Sequence, residues 1–249
     1  MISNDYRLNC HSLYAPPTTT TEGGFAALQR KDRAAWAKLW QARPVISGPD
    51  KRAIAADQRM IDGAFFYMHS HAHPTSSTGV SDYGLSQAGR MYSGAIMEDF
   101  DFLMVLPAAL GDVAAGTAFA RFRTRTLGAA QEHAAAAGYA GLSGRRPALY
   151  PASANMLDGR ASESASESWA KDYPGFGVAM AVYEAASTSA DPVFVREEAW
   201  PVLRAVAEFA VARGEWTSPT RFEYGLSMNR DEVSFRLKNS SFPIEDPSF

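Results

Sequence analysis

The sequence predicts an all-α protein, and three observations carry that prediction. Apolar residues recur at three- and four-residue spacing over about six separate runs. Aspartate, proline and glycine punctuate those runs where helix caps belong. Period-two alternation, the mark of a half-buried strand, is confined to one short stretch near the carboxy terminus.

Residues 1–24, with Pro16-Pro17 ahead of Thr18 to Thr21, read as an extended lead-in, and residues 25–249 as one domain. From Phe25 to Ala42, Phe25, Leu28, Trp36, Leu39 and Trp40 fall at helical spacing, and Arg43-Pro44 ends the run because the residue before a proline avoids helical geometry. Asp50 has the character of an N-cap for a second helix that carries Ile54, Met60, Ile61, Ala64, Phe65 and Met68. His69 to Met91 changes to His, Ser, Thr, Gly and Pro without a period, which makes it a long loop and a candidate functional one.

A third helix is expected from Glu98 to Leu110. An alanine-rich fourth starts at Asp112 or Thr117, runs to Ala137 and stops at Gly138, a residue suited to a left-handed C-cap. Gly141 to Tyr173 is irregular. Helices resume over Gly175 to Ala186 and Pro192 to Arg213, the second opened by Asp191-Pro192 in the cap and first-turn positions. Arg221 to Leu226 alternates and reads as a short strand or an extended loop. Paired helices with long loops at one end form a shallow bowl lined with acidic residues.

The chain has 249 residues, enough to bury a sizeable core as one unit, and a formal net charge of -3. Its basic residues are scattered, so no footprint for nucleic acid is present, and a neutral partner such as a small carbohydrate fits better. Cys10, the single cysteine, excludes an internal disulfide and a cysteine-based zinc site, and leans towards a reducing compartment. No run approaches the roughly 18 apolar residues of a membrane span, and the amino terminus shows no signal peptide, so a cytoplasmic location without membrane attachment is the default expectation. The sequon Asn239-Ser240-Ser241 is a weak counter-signal for secretion.

Two acidic clusters far apart in sequence draw the chemistry. Glu98, Asp99 and Asp101 make the first, Asp231 and Glu232 the second, each where turn residues meet an apolar run. Carboxylates among Tyr92, Phe100, Phe102 and Phe235 would be partly desolvated, which raises the pKa and keeps a proton available for acid catalysis of acetal cleavage. Each cluster also has a plainer reading. Asp231-Glu232 is equally a solvated loop dipeptide, and Glu98-Asp99-Phe100-Asp101 equally a helix start favoured by the helix dipole.

His69, His71 and His73 alternate as metal ligands on an extended segment would, yet no carboxylate partner follows at short range, so no metal is expected. Arg121, Arg123 and Arg125, spaced by two, point to different faces of a helix and are expected to be solvated or paired with carboxylates. Trp36, Trp40, Phe65, Phe66 and Tyr67 are expected in the core. Trp169 and Tyr173, in the irregular stretch, are candidates for stacking on a sugar ring.

The order of these segments resembles glycoside hydrolase family 65, which includes acid trehalases, a glucosidase acting on glucosylgalactosyl-hydroxylysine, and maltose- or kojibiose-type phosphorylases. Arg123-Thr124-Arg125-Thr126-Leu127-Gly128-Ala129-Ala130 through Gly138-Tyr139-Ala140-Gly141 looks like the family's Y-R-x-R-T-L-x-x-A helix ending in G-Y-x-G. Leu85-Ser86, Tyr92-Ser93-Gly94 and Met104 to Pro107 look like its G-L-S, Y-x-G-H-x-F-W-D and M-x-P segments, and Tyr224 to Ser234 falls where it has G-x-x-x-P-D-E-Y-H.

The resemblance implies an (α/α)6 toroid-like helical barrel, here incomplete, an α-glucoside substrate and an inverting displacement. It implies Glu232 as general acid and Asp99 holding the non-reducing glucose; Glu98, Asp101 and Asp231, as acceptors for sugar hydroxyls, and Trp169, as a stacking ring, are expected from the residues themselves as further substrate contacts. No cofactor is implied, except inorganic phosphate as co-substrate if the chain is a phosphorylase, and a partial ring with uncovered helix faces would favour a homo-oligomer. Three motifs depart from the pattern. Gly94-Ala95-Ile96-Met97-Glu98-Asp99 lacks the histidine and tryptophan of G-H-x-F-W-D, Tyr150-Pro151-Ala152-Ser153-Ala154 lacks the tryptophan of F-P-W-E-S-A, and the acid motif keeps only Asp231-Glu232. These losses leave a non-catalytic, weakly sugar-binding relative as a further reading.

Overall fold

The computed structural model describes residues 24–71, 74–75, 78–79, 95–97, 101, 105–139, 144–162, 171, 173–224, 227–228 and 235–237. These residues are predominantly helical, with three short two-stranded ladders. The chain divides into two compact units, Met1–Arg43 and Pro44–Phe249.

In the first unit, helix α1 (Gly24–Leu39) runs into a tight 3-10 turn at Trp40–Ala42. Trp36 and Trp40, four residues apart, bring their rings to 6.2 Å, and the Arg43 guanidinium lies 6.0 Å from the Trp40 ring. Arg43 takes an extended conformation, as the following proline requires.

The second unit opens with α2 (Lys51–His71), capped as expected by Asp50, whose Oδ1 accepts from the amides of Arg52 and Ala53. Phe65 and His69, one turn apart, face inward with ring centroids at 4.4 Å. Phe66 and Tyr67 do not join them, at 43% and 63% exposed, which corrects the expectation of a common core. Three successive residues sweep roughly 200° of helix and cannot share a face.

Helix α3 (Val105–Ala109) leads into α4 (Val113–Arg125), and Asp112 Oδ1 accepts from the Ala115 amide as N-cap. The single long fourth helix expected from sequence is instead two, α4 and α5 (Leu127–Ala136), separated at Thr126. The Arg123 carbonyl, which an uninterrupted helix would give to the Leu127 amide, accepts from the Tyr150 and Thr126 hydroxyls, so side chains compete with the backbone at that point. Gly138 ends α5 at φ +86°, the left-handed position its lack of a Cβ permits.

Helix α6 (Pro174–Ser189) presents Val178, Ala181, Val182 and Ala185 to the interior. The next helix is capped by Asp191 Oδ1, which accepts from the amides of Val193 and Phe194. It then widens into a π turn over Phe194–Ala199 before α7 (Trp200–Arg213). Pro201 explains the widening: it offers no amide and its ring would strike the carbonyl four residues back, so the backbone bond runs from the Trp200 amide to the Val195 carbonyl. The main core joins Tyr150, Val178, Val182, Phe194, Val202 and Val206 from the irregular stretch, α6, the π turn and α7.

Strand β1 (Ile96–Met97) pairs antiparallel with β2 (Ser153–Ala154) in the register Ile96↔Ala154 and Met97↔Ser153. Strands β3 (Gly214–Ser218) and β4 (Arg221–Tyr224) form a hairpin in which Trp216 opposes Phe222 with rings 5.3 Å apart. Strand β5 (Ser227–Met228) pairs with β6 (Phe235–Leu237). Of the two readings of Arg221 to Leu226, Arg221–Tyr224 is a strand. Among the described residues no helix is long and apolar enough to cross a membrane.

Candidate functional site

Most of the expected site residues, Glu98, Asp99, Trp169, Asp231 and Glu232, lie outside the described residues. Their flanks are described. Glu98 and Asp99 fall in sequence between β1 and Asp101. Asp231 and Glu232 fall between the paired strands β5 and β6.

Asp101 is described, fully buried, and held by a fully buried Arg123. Arg123 Nε donates to Asp101 Oδ1 at 2.8 Å and Nη2 donates to Oδ2 at 3.2 Å, a fork-on-carboxylate geometry joining the start of the α3 region to the last turn of α4. A Cβ built on Gly177 of α6 would meet the Asp101 side chain at 3.8 Å, ordinary van der Waals contact. Asp101 therefore turns both carboxylate oxygens to the protein.

The Arg123 guanidinium lies 5.7 Å from the Phe122 ring and 5.8 Å from the Tyr150 ring, so its charge is also set against two aromatic rings. Its Nη1 is buried without a hydrogen-bond partner. The Tyr150 hydroxyl donates to the Arg123 carbonyl at 2.9 Å. Burial pushes the Tyr150 phenol far above its ordinary pKa, with Asp101 adding to the rise and Arg123 opposing it, so the hydroxyl stays a donor at every physiological pH.

Tyr150 begins the segment that carries β2, and this segment is threaded through the helices by backbone bonds. The Ala148 amide donates to the Ala205 carbonyl on α7, and the Leu149 amide to the Ala130 carbonyl on α5. Gly79, within the His-Ser-Thr stretch, donates from its amide to the Met156 carbonyl, bringing that residue to the same segment. Residues distant in sequence, 78–79, 95–97 with Asp101, and 148–156, are thus joined on the Arg123 side of α4.

The three arginines separate as their spacing required. Arg121 Nε donates to both oxygens of Glu198 at 3.2 Å, and Arg123 pairs with Asp101, so those two are carboxylate-paired. Arg125 is exposed. Sequence reasoning missed the partner of Arg123, which stands 22 positions away. The available signal was helical spacing: Arg123 stands three and four residues after Ala120 and Phe119, both buried, so its charge falls on the inward stripe of α4.

His69 does not face solvent. Its Nδ1 lies 3.5 Å from Asp112 Oδ2, its ring packs on Phe65, and among the described residues neither buried ring nitrogen has a hydrogen-bond partner. Burial lowers its pKa below the usual histidine value against the opposing pull of Asp112. His73 and the side chain of His71 lie outside the described residues. Glu208, nearly buried on α7, stands 3.5 Å from Arg145 Nη1 and 3.7 Å from Arg204 Nε, an ion-pair cluster that fastens the 144–150 segment to α7.

In fold the chain matches a solved structure described as a kojibiose phosphorylase from human microbiome, with a TM-score of 0.71 over 87% of this chain and 29% of that one, at 21% identity. In sequence it is 26% identical over 225 residues to the kojibiose hydrolase of Flavobacterium johnsoniae and 24% identical over 227 residues to that of Mucilaginibacter mallensis, each match covering 88% of this chain. The chain spans about a third of the length of these curated relatives, 31% of each. No protein-family model matches it. These similarities bear out the resemblance to glycoside hydrolase family 65: the chain is a divergent homologue of proteins of that type.

Proposed function

We propose that the chain acts on an α-linked glucoside as an inverting glycoside hydrolase, with a kojibiose-, trehalose- or glucosylgalactose-type substrate. The observation that carries this reading is the match of two curated kojibiose hydrolases to 88% of the chain. Glu232 is the general acid that protonates the departing glycosidic oxygen. Asp99 holds the non-reducing glucose, with Glu98, Asp231 and Trp169 as further contacts; Asp101, buried with both oxygens on Arg123, is not one of them. In a single displacement a water attacks from the opposite face, which needs a second carboxylate about 6.5–9.5 Å from the acid. The reaction requires no cofactor.

The test is incubation of purified protein with kojibiose, trehalose, maltose and nigerose, following the released sugar by proton NMR. β-Glucose is expected as the first product from one of them, and Glu232→Gln is expected to abolish release. Absence of turnover across the panel sinks the hydrolase. Turnover that depends strictly on added inorganic phosphate replaces it with the phosphorylase.

The departures in the motifs favour a second reading, a sugar-binding relative without turnover. Ala95 stands buried where the family has its histidine, Glu98 where it has its tryptophan, and Ala152 is buried where the second tryptophan belongs. Calorimetric titration that shows binding without product supports this reading over the first.

A further inference from the structure

We propose that the outward face of the α6–α7 pair is the contact surface of a homodimer, its occupant being a second copy of this chain. This surface is independent of the hydrolase reading. Helix α6 carries one charge, Glu184, in 16 residues. Its inward side, Val178, Ala181, Val182 and Ala185, is buried, while Phe176, Met180 and Tyr183, spaced by four and three, line the opposite side. A helix apolar on both sides belongs inside a protein. Helix α7 repeats the pattern, with Trp200 and Val211 on an outward stripe that also holds Arg204 and Ala207. These five large apolar side chains are each between 44% and 58% exposed.

The two stripes form one surface. The helices lie side by side, since a Cβ built on Gly175 would meet Val206 at 3.8 Å. Their inward residues share a core with Ala120 of α4, Ala130 of α5 and Tyr150, so both outward stripes lie on the far side of a two-helix layer. Helices of this length span about 22 Å and sit about 10 Å apart, which gives a face of roughly 450 Å² in projection. Side-chain relief carries that towards the roughly 800 Å² per partner of a standard interface. An apolar patch of this size marks a contact surface on a soluble domain.

A second copy suits the face because the face is neutral and self-complementary. The exposed positions of the two helices carry one acid, Glu184, and one base, Arg204, so an identical surface meets no field of like charge. A two-fold axis crossing α6 at Met180 sets Phe176 opposite Tyr183 of the second copy, an aromatic contact made twice in an isologous interface.

Sedimentation equilibrium under reducing conditions tests it. The mass is expected to pass from the 27.0 kDa of one chain to twice that value as concentration rises, and to stop there. Tyr183→Glu, at an exposed position, is expected to leave the circular dichroism spectrum unchanged and to weaken association by about tenfold or more, the scale of an interface hot spot. On the wild-type protein, hydroxyl-radical oxidation of Met180 is expected to slow relative to that of Met60, exposed on α2, as the dimer forms. A single-chain mass at every concentration overturns the proposal, as does association that continues beyond two copies. A dimer whose affinity ignores Tyr183→Glu overturns it too, and should that variant fail to fold, an unchanged ratio of Met180 to Met60 oxidation overturns it equally.

Discussion

Gly159 packs against Thr126 with no room for another carbon: a Cβ built on Gly159 falls 2.4 Å from the Thr126 Cβ, and the glycine sits at φ +72°. Thr126 is the residue at which α4 gives way to α5, so this contact seats the 155–160 turn on the break in the helix. The Gly159 amide also bonds back to the Asn155 carbonyl, which closes the turn.

Gly159→Ala introduces a left-handed non-glycine residue and a clash with a side chain that cannot retreat. Together these are expected to cost about 2–4 kcal/mol. Thermal unfolding followed by circular dichroism checks it. A melting temperature within a degree or two of wild type contradicts the contact.

His69 makes stability fall in acid. Its folded pKa lies below the unfolded value of 6.5, so the folded state binds fewer protons, and stability present above pH 6.5 is lost as pH falls through the folded pKa. Urea midpoints measured from pH 8 to pH 5 are expected to decline for wild type and to decline less for His69→Phe. Asp112→Asn keeps the cap and removes the charge that partly supports the imidazolium, so its acid decline is expected to be steeper than that of wild type. Parallel curves for all three proteins refute the assignment.

Ala190 ends α6 at φ +51° and ψ +22°, where an alanine carries strain and a glycine carries none. Ala190→Gly is expected to stabilise by up to about 1 kcal/mol, reduced by the added freedom of glycine in the unfolded chain. Chemical denaturation with an unchanged slope reads the difference directly. A lower midpoint shows the strain to be smaller than the entropy cost.

The pair Asp101–Arg123 separates packing from charge. Asp101→Asn leaves a buried guanidinium without its counter-charge and is expected to lose about 3–5 kcal/mol, while Asp101→Leu combined with Arg123→Met is expected to recover most of that loss. The double-mutant cycle measures the coupling. If the two single changes simply add, the pair is not a unit.

Helix ends were legible because caps are local. Asp50, Asp112, Asp191 and Gly138 each act on amides or carbonyls within a few residues, and each sits in the cap position its sequence implies. The inward stripe of α6 was legible for the same reason, since one helical period decides it. Where the local pattern was ambiguous the expectation erred. A run of Phe65, Phe66 and Tyr67 is apolar as a string, yet only Phe65 turns inward. Pro201 fell inside the run read as one helix, Pro192 to Arg213, and the π turn that absorbs it depends on the carbonyl four residues back and on the neighbouring core.

The sequence by itself determined the helical class, the caps, the separation of the three arginines and the resemblance to family 65, because these rest on residue type and near spacing. Tertiary structure alone decided that Arg123 reaches Asp101, that Tyr150 and Thr126 divert the Arg123 carbonyl and break a helix, and that 96–97 pairs with 153–154. Each of these contacts spans a long stretch of chain or depends on one that does. A hydrogen bond between residues brought together by packing leaves no periodic trace along the chain, so the grip of Arg123 on Asp101 emerges only in the folded structure.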